Sequence, residues 1–305
     1  MNAIDIWIVD AFAGTPLAGN PAGVVLSCEG LDVTTFRKIA FEAGFSDSAF
    51  VSPGAAPGEF RLRFFSPYRE VDVSGHGTVA AFWLLAEQGR LDLSEGENAF
   101  TVETNVAKLP VFVDARGGKP VRVMMGQIAP VFETPKVNND KLAALLGVGR
   151  NHIAGDLPVE IVSTGLRTLH IPIDDLGTVS ELKPLMRGLV DLSTRHDVML
   201  IQVFTRQAKD PGAQVHCRVF APALGVEEDP VSGMPAGSLA AHLARHGALA
   251  PDEQGRSHLV VEQGEEMGRP GKVEVEMRRE GKEIAEIRIG GTAVVALEGR
   301  LRIAP

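Results

Sequence analysis

The chain has 305 residues, of which 45% are hydrophobic and 23% are charged, and its formal net charge is -9. This length suits two domains, because single hydrophobic cores stop growing near about 250–300 residues. The acidic balance and the lack of a Lys/Arg block argue against a nucleic-acid-binding protein, and no apolar run approaches the ~20 residues that span a bilayer.

The first part of the chain alternates short strands with two helices. A helix is predicted at residues 34–43, with Thr34 as N-cap and Gly44 as C-cap, and a longer apolar helix follows at 75–88. The alternation of apolar and polar residues predicts strands at 4–9, 22–26, 49–51, 60–65, 100–104, 107–113 and 121–125. Residues 1–126 are therefore expected to form a lobe in which a mixed sheet surrounds the apolar helix.

A linker is predicted at residues 127–135, where two prolines interrupt the pattern. The second part is expected to form a lobe at 127–292, and a final strand near 293–305 is expected to return to the first lobe. Helices are predicted at 141–146, 181–187 and 233–246. Strands are predicted at 160–163, 168–172, 199–204, 214–220, 259–263, 272–278, 284–290 and 293–301.

Both lobes contain the same succession of signals. Phe65-Ser66-Pro67 leads through an acidic segment to the turn Ser74-Gly75-His76-Gly77, and Phe220-Ala221-Pro222 leads in the same way to Ser232-Gly233-Met234. An apolar helix follows each turn. Glycine before a helix is common by itself, but the shared Phe-x-Pro favours an internal duplication.

A glycine-rich turn at a helix start binds anions, because it presents unpaired N–H groups at the positive end of the helix dipole. Two such turns, facing each other across a pseudo-twofold axis, would place both helix starts in one cleft between the lobes. Neither turn has the pattern of a nucleotide-phosphate loop, so a small carboxylate is the expected ligand. The residues expected to contact it are Asn20, Ser46, Ser74, Gly75, Gly77, Thr78, Ser232, Gly233 and Met234.

Three acid/base candidates surround the turns. His76 lies in the first turn, and histidine is the side chain that changes charge near neutral pH. Asp229 precedes the second turn, and Asp47 lies in a polar segment between a helix and a strand. Each has an ordinary structural explanation as a cap or turn former, but their joint position beside matched turns favours acid/base catalysis.

No metal or cofactor is expected. Cys28 and Cys217 form no CxxC pair, and the sequence holds no HExxH motif and no GxSxG elbow. The remaining histidines are predicted to be surface or structural. The unpaired cysteines and the lack of a signal-peptide pattern predict a reduced, cytoplasmic compartment.

Five segments resemble PhzF-like proteins of phenazine biosynthesis, in the order of that family. They are Gly19-Asn20-Pro21-Ala22-Gly23, Ser46-Asp47-Ser48-Ala49-Phe50, Gly75-His76-Gly77-Thr78, Asp229-Pro230-Val231-Ser232-Gly233, and Gln263-Gly264 with Gly268-Arg269-Pro270-Gly271. The resemblance implies an α+β fold of the diaminopimelate-epimerase type, with two pseudo-symmetric lobes, each a mixed or antiparallel β-sheet around a central α-helix. It also implies a homodimer, no cofactor, and isomerisation by acid/base proton transfer.

The resemblance assigns the family's catalytic acid, usually Glu, to Asp47, its histidine to His76 and its aspartate to Asp229. Two departures concern the substrate. Asp47 is one methylene shorter than Glu, and Met234 replaces a serine, so a hydroxyl donor is lost. An isomerase acting on a small carboxylate is the preferred prediction. A non-catalytic small-molecule-binding protein and a lyase that dehydrates a hydroxy-acid remain open as alternatives.

Overall fold

The computed structural model describes residues 2–303. Six α-helices occur in this range: α1 Val33–Ala43, α2 Gly75–Glu87, α3 Asn139–Leu146, α4 Leu176–Ser180, α5 Met186–His196 and α6 Gly233–Arg245. The strands are β1 Asn2–Ala11, β2 Asn20–Val25, β3 Asp47–Pro53, β4 Glu59–Phe65, β5 Glu70–Val71, β6 Gly96–Glu103, β7 Lys108–Arg116, β8 Lys119–Gly126, β9 Val131–Glu133, β10 Glu160–Ser163, β11 Arg167–Pro172, β12 Leu200–Thr205, β13 Val215–Ala221, β14 Val226–Asp229, β15 Arg256–Gln263, β16 Gly271–Glu280, β17 Glu283–Gly291 and β18 Ala293–Ile303. None of the helices in residues 2–303 has the length and apolarity needed to cross a bilayer.

The chain divides into two compact units. The first consists of the residues up to Gly126 together with the segment from Gly290 onward, and the second is the continuous stretch Gln127–Ile289. The first unit therefore receives its last strand from the far end of the chain, where β18 pairs antiparallel with β1 over ten residues of β1.

The first unit is a mixed sheet around α2. Strand β1 pairs antiparallel with β18 and β2, β2 runs parallel to β3, and β3 pairs antiparallel with β4. Strand β4 then runs parallel to β6, which continues antiparallel into β7 and β8. All residues of α2 except Glu87 are buried. A helix that is apolar on every side is a core helix, so α2 forms the centre of this unit.

The second unit repeats this succession around α6. Strand β10 pairs antiparallel with β11, β11 runs parallel to β12, β12 is antiparallel to β13, and β13 runs parallel to β15. Strand β15 pairs antiparallel with β16. All residues of α6 except Arg245 are buried, and this helix, like α2, has 13 residues. The order of parallel and antiparallel pairings is the same as in β1 to β7, which confirms the duplication.

Three local predictions need correction. The helix predicted at 181–187 is wrong: α4 ends at Ser180 and α5 begins at Met186, because Pro184 lacks an N–H and disfavours helix in the residue before it. The N-cap of α1 is Asp32, whose carboxylate accepts from the Thr35 N–H at 2.8 Å, and not Thr34. The predicted linker contains β9, which pairs with β10.

Candidate active site

The first turn is closed by its own serine. Ser74 is the N-cap of α2, and its Oγ accepts a hydrogen bond from the Gly77 N–H at 3.1 Å. A Cβ at Gly77 would lie 2.9 Å from Ser74 Oγ and 3.0 Å from the Phe64 ring. Glycine is therefore required here because the helix starts in close contact with β4.

His76 extends from this turn toward the start of β3. Its Nε2 lies 3.6 Å from Asp47 Oδ2 and 3.5 Å from Ser46 Oγ, and its Nδ1 lies 3.4 Å from Ser74 Oγ. Only 9% of the His76 side chain and 12% of the Asp47 side chain are exposed. The structure thus brings together Asp47, His76, Ser46 and Ser74 in a nearly dry environment, where charge interactions are strong.

The start of β3 places Asp47 beside this histidine. Asp47 is the first residue of β3 and pairs with Ala22 of the parallel strand β2. A Cβ at the next position of β2, Gly23, would lie 2.8 Å from Ser48 Oγ. Asn20, the first residue of β2, is 1% exposed and pairs with Ala11. The glycine therefore allows the close approach of the two strands that carry these polar residues.

Two donors of the first turn are already engaged within the turn. The Gly77 N–H is engaged by Ser74 Oγ, and the Thr78 hydroxyl donates to the Ser74 carbonyl oxygen at 2.6 Å. Contact of these two residues with substrate stays a prediction, and it would have to use other atoms than these two donors. Among residues 2–303, no hydrogen-bond acceptor faces the N–H groups of Gly75 and His76. These two are the donors that an anion can use.

The second turn is arranged differently. Ser232 makes no capping hydrogen bond to α6, and its hydroxyl donates instead to Asp229 Oδ2. Its N–H donates to Gln263 Oε1 at 3.1 Å, and Gln263 Nε2 donates to the Asp229 carbonyl oxygen at 2.6 Å. Asp229, Ser232 and Gln263 therefore form one connected group.

The Met234 side chain packs against Gly165 and offers no hydrogen-bond donor. It is 5% exposed, and a Cβ at Gly165 would lie 2.6 Å from its Cε. The following residue, Pro235, has no N–H. In the described range, the N–H groups of Gly233 and Met234 have no hydrogen-bond acceptor. The second turn thus offers two adjacent backbone donors, as the first does.

The sequence alone does not identify Gln263 as a site residue, although it lies in one of the segments that resemble the family. It is 2% exposed and lies 31 residues beyond Ser232 in the sequence. Two ion pairs were also missed: Arg63 with Glu70, and Arg218 with Glu228. The signal for the pairs was present, since each arginine stands two residues before the phenylalanine of the repeated Phe-x-Pro.

Three further histidines are fully buried: His170, His216 and His242. Burial lowers the pKa of His170 well below its usual value, and the charge of nearby His242 acts in the same direction. Burial opposes the charged form of His216, but hydrogen bonds to Glu266 and Glu262 outweigh it and raise the pKa of this histidine. Burial raises the pKa of the Cys28 thiol to about 11 and that of the Cys217 thiol to about 12. Neither thiol is therefore a nucleophile at neutral pH.

The comparisons with known proteins cover nearly the whole chain. A family model described as phenazine biosynthesis-like protein, PhzC-PhzF, matches residues 9–299. The trans-2,3-dihydro-3-hydroxyanthranilate isomerase of Pseudomonas aeruginosa is 30% identical over 296 residues, which cover 96% of this chain and 97% of that protein.

Solved structures agree with this match. The crystal structure of a PhzF-family phenazine biosynthesis protein from Bacillus anthracis has a TM-score of 0.89 and 31% identity, covering 99% of this chain and 100% of that one. A hydroxyproline epimerase from Agrobacterium vitis has a TM-score of 0.67 at 12% identity, covering 99% of this chain and 91% of that one, and supports the fold alone. The predicted epimerase-like α+β fold is confirmed. The chain belongs to the PhzC-PhzF family of phenazine biosynthesis-like proteins and is an enzyme of the isomerase class.

Proposed function

We propose that this enzyme moves a proton between two positions of a small carboxylate-bearing metabolite, with Asp47 as the group that removes and returns the proton. The observation that supports this most strongly is the buried pair of Asp47 and His76, 3.6 Å apart, at the start of α2. A buried carboxylate beside an imidazole is a suitable acid/base pair. Catalytic hydrogen bonds are often long before substrate binds, so this separation fits the role.

The proposed reaction conserves every atom of the substrate. The Asp47 carboxylate accepts a proton from a carbon atom, the electron pair moves into the conjugated system, and the proton returns at a second carbon to give an isomer. His76 polarises and positions the substrate. Backbone N–H groups at a helix start stabilise the negative charge that develops next to the carboxylate, and Gly75 and His76 carry suitable donors.

Asp229, beside the second turn, is proposed as a further catalytic residue, as the family resemblance implies. Asp229 lies within a fixed group with Ser232 and Gln263, so its position is set before substrate arrives, which favours catalysis. Gly233 and Met234 offer backbone donors. Because Met234 has no hydroxyl, we expect the substrate to lack the contact that a serine would make there.

Four parts of the proposal rest on the family resemblance and the sequence. The enzyme is proposed to use no cofactor, to form a homodimer, to act in the cytoplasm and to bind no nucleic acid. Size-exclusion chromatography with light scattering tests the dimer, and a monomeric mass would contradict it.

The test is deuterium incorporation from deuterated water, followed by NMR. The panel contains small cyclic and amino carboxylates and trans-2,3-dihydro-3-hydroxyanthranilate, the substrate in the name of the relative. We expect native protein to exchange at least one panel member, and Asp47→Asn to slow exchange by about 100-fold or more. Asp47→Glu, which introduces the residue usual in the family, keeps measurable exchange. Asp72→Asn, at an exposed acid near the same turn, is the matched control and exchanges like native protein.

The outcomes separate the competing functions. Exchange that is equal in native protein and Asp47→Asn would overturn the role of Asp47. Binding of panel members without exchange would favour a non-catalytic binding protein. Loss of water from the substrate, seen by mass spectrometry, would favour a lyase.

A further inference from the structure

The C-terminal part of α6 and the strand β10 bring together three metal-ligating side chains, outside the site described above. Glu160 begins β10, His242 lies in the last turn of α6, and His246 is the residue that caps the C-terminus of this helix. Their ligand atoms all lie within 4.8 Å of one another. We propose that Glu160, His242 and His246 bind a divalent transition-metal cation, for which Zn²⁺ has the best-matched chemistry.

The two imidazoles converge on a single oxygen. Glu160 Oε2 lies 2.9 Å from His242 Nδ1 and 3.0 Å from His246 Nε2. Ligand atoms around a tetrahedral Zn²⁺ are about 3.3 Å apart, since each bond is about 2.0–2.1 Å. The two oxygen–nitrogen separations would have to lengthen by a few tenths of an ångström to reach this value, and the two nitrogens, which lie within 4.8 Å of each other, would have to settle at the same separation.

The donor set selects the class of metal. Two imidazole nitrogens and one carboxylate oxygen make a His₂Glu set, which suits Zn²⁺ and its neighbours in the first transition row and suits Ca²⁺ or Mg²⁺ poorly. Three protein ligands leave one tetrahedral position for water. The spacing of His242 and His246 places both on one helix face, as helical zinc motifs require.

Burial and access are compatible with binding. The side chains of His242 and Glu160 are 0% and 6% exposed, whereas that of His246 is 26% exposed and gives a path from solvent. The positive charge of Arg245 opposes the binding of a cation. Its Nε lies 3.7 Å from the other carboxylate oxygen of Glu160, and its guanidinium lies 4.4 Å from the Phe132 ring centroid. It fixes the carboxylate so that one oxygen faces the histidines, but its charge weakens the affinity for a cation.

The free nitrogen of His242 also affects the affinity. Its Nε2 is buried and has no hydrogen-bond partner among residues 2–303. When Nδ1 gives its lone pair to a cation, this nitrogen must carry the proton without an acceptor. Metal ligands normally donate their second N–H to a neighbour, so we expect weaker binding than at dedicated structural zinc sites.

The site is remote from the second turn. His242 lies nine residues after Gly233, which corresponds to about 14 Å along a helix. The cation would therefore anchor the end of α6 to β10 and take no part in proton transfer. Failure of the proposed function would leave this inference intact, because its test needs no substrate.

The test is zinc titration by calorimetry, with Co²⁺ absorption as a second readout, on chelator-treated full-length protein. We expect one cation per chain, a rise in Tm with Zn²⁺, and a tetrahedral Co²⁺ spectrum. His246→Ala and Glu160→Gln weaken binding by at least about 10-fold, since loss of an outer-shell partner alone has that effect. His258→Ala is the matched control, because His258 is half exposed and lies 3.9 Å from Glu274 in the same unit.

Two results would overturn the proposal: native protein that binds no Zn²⁺ at millimolar concentration, or His246→Ala that binds as tightly as native protein. His246 is partly exposed, so this variant is expected to fold even if Glu160→Gln does not. Equal weakening in His258→Ala would also count against it, because that result indicates general surface binding.

Discussion

The two units share the same strand pairings around a central helix, but they differ in the side chains beside the glycine turn. In each, an arginine holds a glutamate through two hydrogen bonds and lies over the phenylalanine two residues later: Arg63 lies 5.1 Å from the Phe65 ring, and Arg218 lies 5.3 Å from the Phe220 ring. Each glutamate, Glu70 or Glu228, stands four residues before the serine of its glycine turn. The duplication therefore preserved this arginine–glutamate–phenylalanine arrangement ahead of each glycine turn.

The acids are not duplicated. Ser48 pairs with Phe65 and Ile201 pairs with Phe220, so the position of Asp47 in the first unit corresponds to Leu200 in the second. Asp229 stands three residues before its turn serine, where the first unit has Val71. Each acid thus occupies a position that is apolar in the other copy. The two units therefore share one scaffold but differ in the position of the acid that each carries.

The largest expected difference concerns the two arginines. The side chain of Arg218 is 9% exposed and also donates to the carbonyl oxygens of Val179 and Leu182, at 3.3 and 3.1 Å, whereas that of Arg63 is 29% exposed. We expect Arg218→Met to lower the free energy of unfolding by about 3–5 kcal/mol, because Glu228 is left without its partner. Arg63→Met lowers it by about 1 kcal/mol.

Urea denaturation of both variants measures this difference. Equal losses would show that the additional carbonyl contacts of Arg218 contribute nothing to stability, and would remove this asymmetry between the units.

The second difference concerns the residue that supports each turn. Gln263 corresponds to Thr104, since β15 pairs with β13 as β6 pairs with β4. We expect Gln263→Leu to cost about 1–3 kcal/mol, because the Asp229 carbonyl and the Ser232 N–H lose a buried partner, and to slow proton exchange on the substrate. Thr104→Val is the matched control.

Within residues 2–303, the Thr104 hydroxyl bonds only to its own loop, at Val106 and Ala107. We expect its loss to reduce stability without slowing exchange. Thermal denaturation and deuterium exchange measure the two effects separately, and an unchanged exchange rate in Gln263→Leu would contradict a positioning role.

The third difference is a dependence on pH. His216 lies 2.8 Å from Glu262 and 3.0 Å from Glu266, and these contacts raise its pKa against the effect of burial. A raised pKa means that the stabilisation is complete below the pKa of unfolded histidine and is lost as pH rises through the folded value. The corresponding pair in the first unit is Arg61 with Glu103, at 3.8 Å.

Chemical denaturation from about pH 6 to about pH 9 tests this. The difference in unfolding free energy between native protein and His216→Gln shrinks as pH rises, whereas the difference for Arg61→Gln stays constant because arginine keeps its charge. A constant difference for His216→Gln would show that this histidine is not charged in the folded state.

Glu266 gives a second pH dependence, in acid. Burial opposes ionisation of this carboxyl, but its contact with His216 lowers its pKa to about 2. The contribution of Glu266 to stability is therefore complete above the pKa of an unfolded glutamate and is lost as the pH falls toward 2.

The smallest difference concerns the turn serines. Ser74 caps α2 and Ser232 does not cap α6. We expect Ser74→Ala to cost about 1 kcal/mol through loss of the cap. Ser232→Ala removes the hydrogen bond to Asp229 and the one that Gln263 Nε2 donates to the hydroxyl at 3.3 Å. Because Gln263 Nε2 keeps its bond to the Asp229 carbonyl oxygen, we expect the melting temperature in the absence of substrate to fall less. A larger fall for Ser232→Ala would mean that these side-chain hydrogen bonds outweigh the cap.

Local sequence patterns predicted most of the strands and the duplication of the two units. The alternation around Phe64 and the repeated Phe-x-Pro predicted the strands and the duplication, because burial of one sheet face imposes period two on a strand. The proximity of Asp47 and His76 was also predicted, because both were expected beside the first glycine turn, and the structure places them 3.6 Å apart. Their part in proton transfer stays a prediction. The sequence placed Asp47 before a strand at 49–51, whereas it is the first residue of β3.

The sequence did not predict that the same residue type at matching positions of the two units has different hydrogen-bond partners. Ser74 and Ser232 occupy matching positions, but Gln263 supplies a partner to one of them from 31 residues away. Glu160 and His242 are 82 residues apart, so spacing rules for metal motifs do not detect them. Such contacts depend on sheet register, which one sequence does not specify.

The pairing of β18 with β1 has a consequence for how the chain is made. The second unit is continuous in sequence and has all its strands once synthesis has passed residue 289. The first unit has an open edge along β1 until β18 is made, and an open edge is a template for wrong pairing. The half that is synthesised first is therefore completed last, and during that interval it is the part of the nascent chain that most needs protection from aggregation.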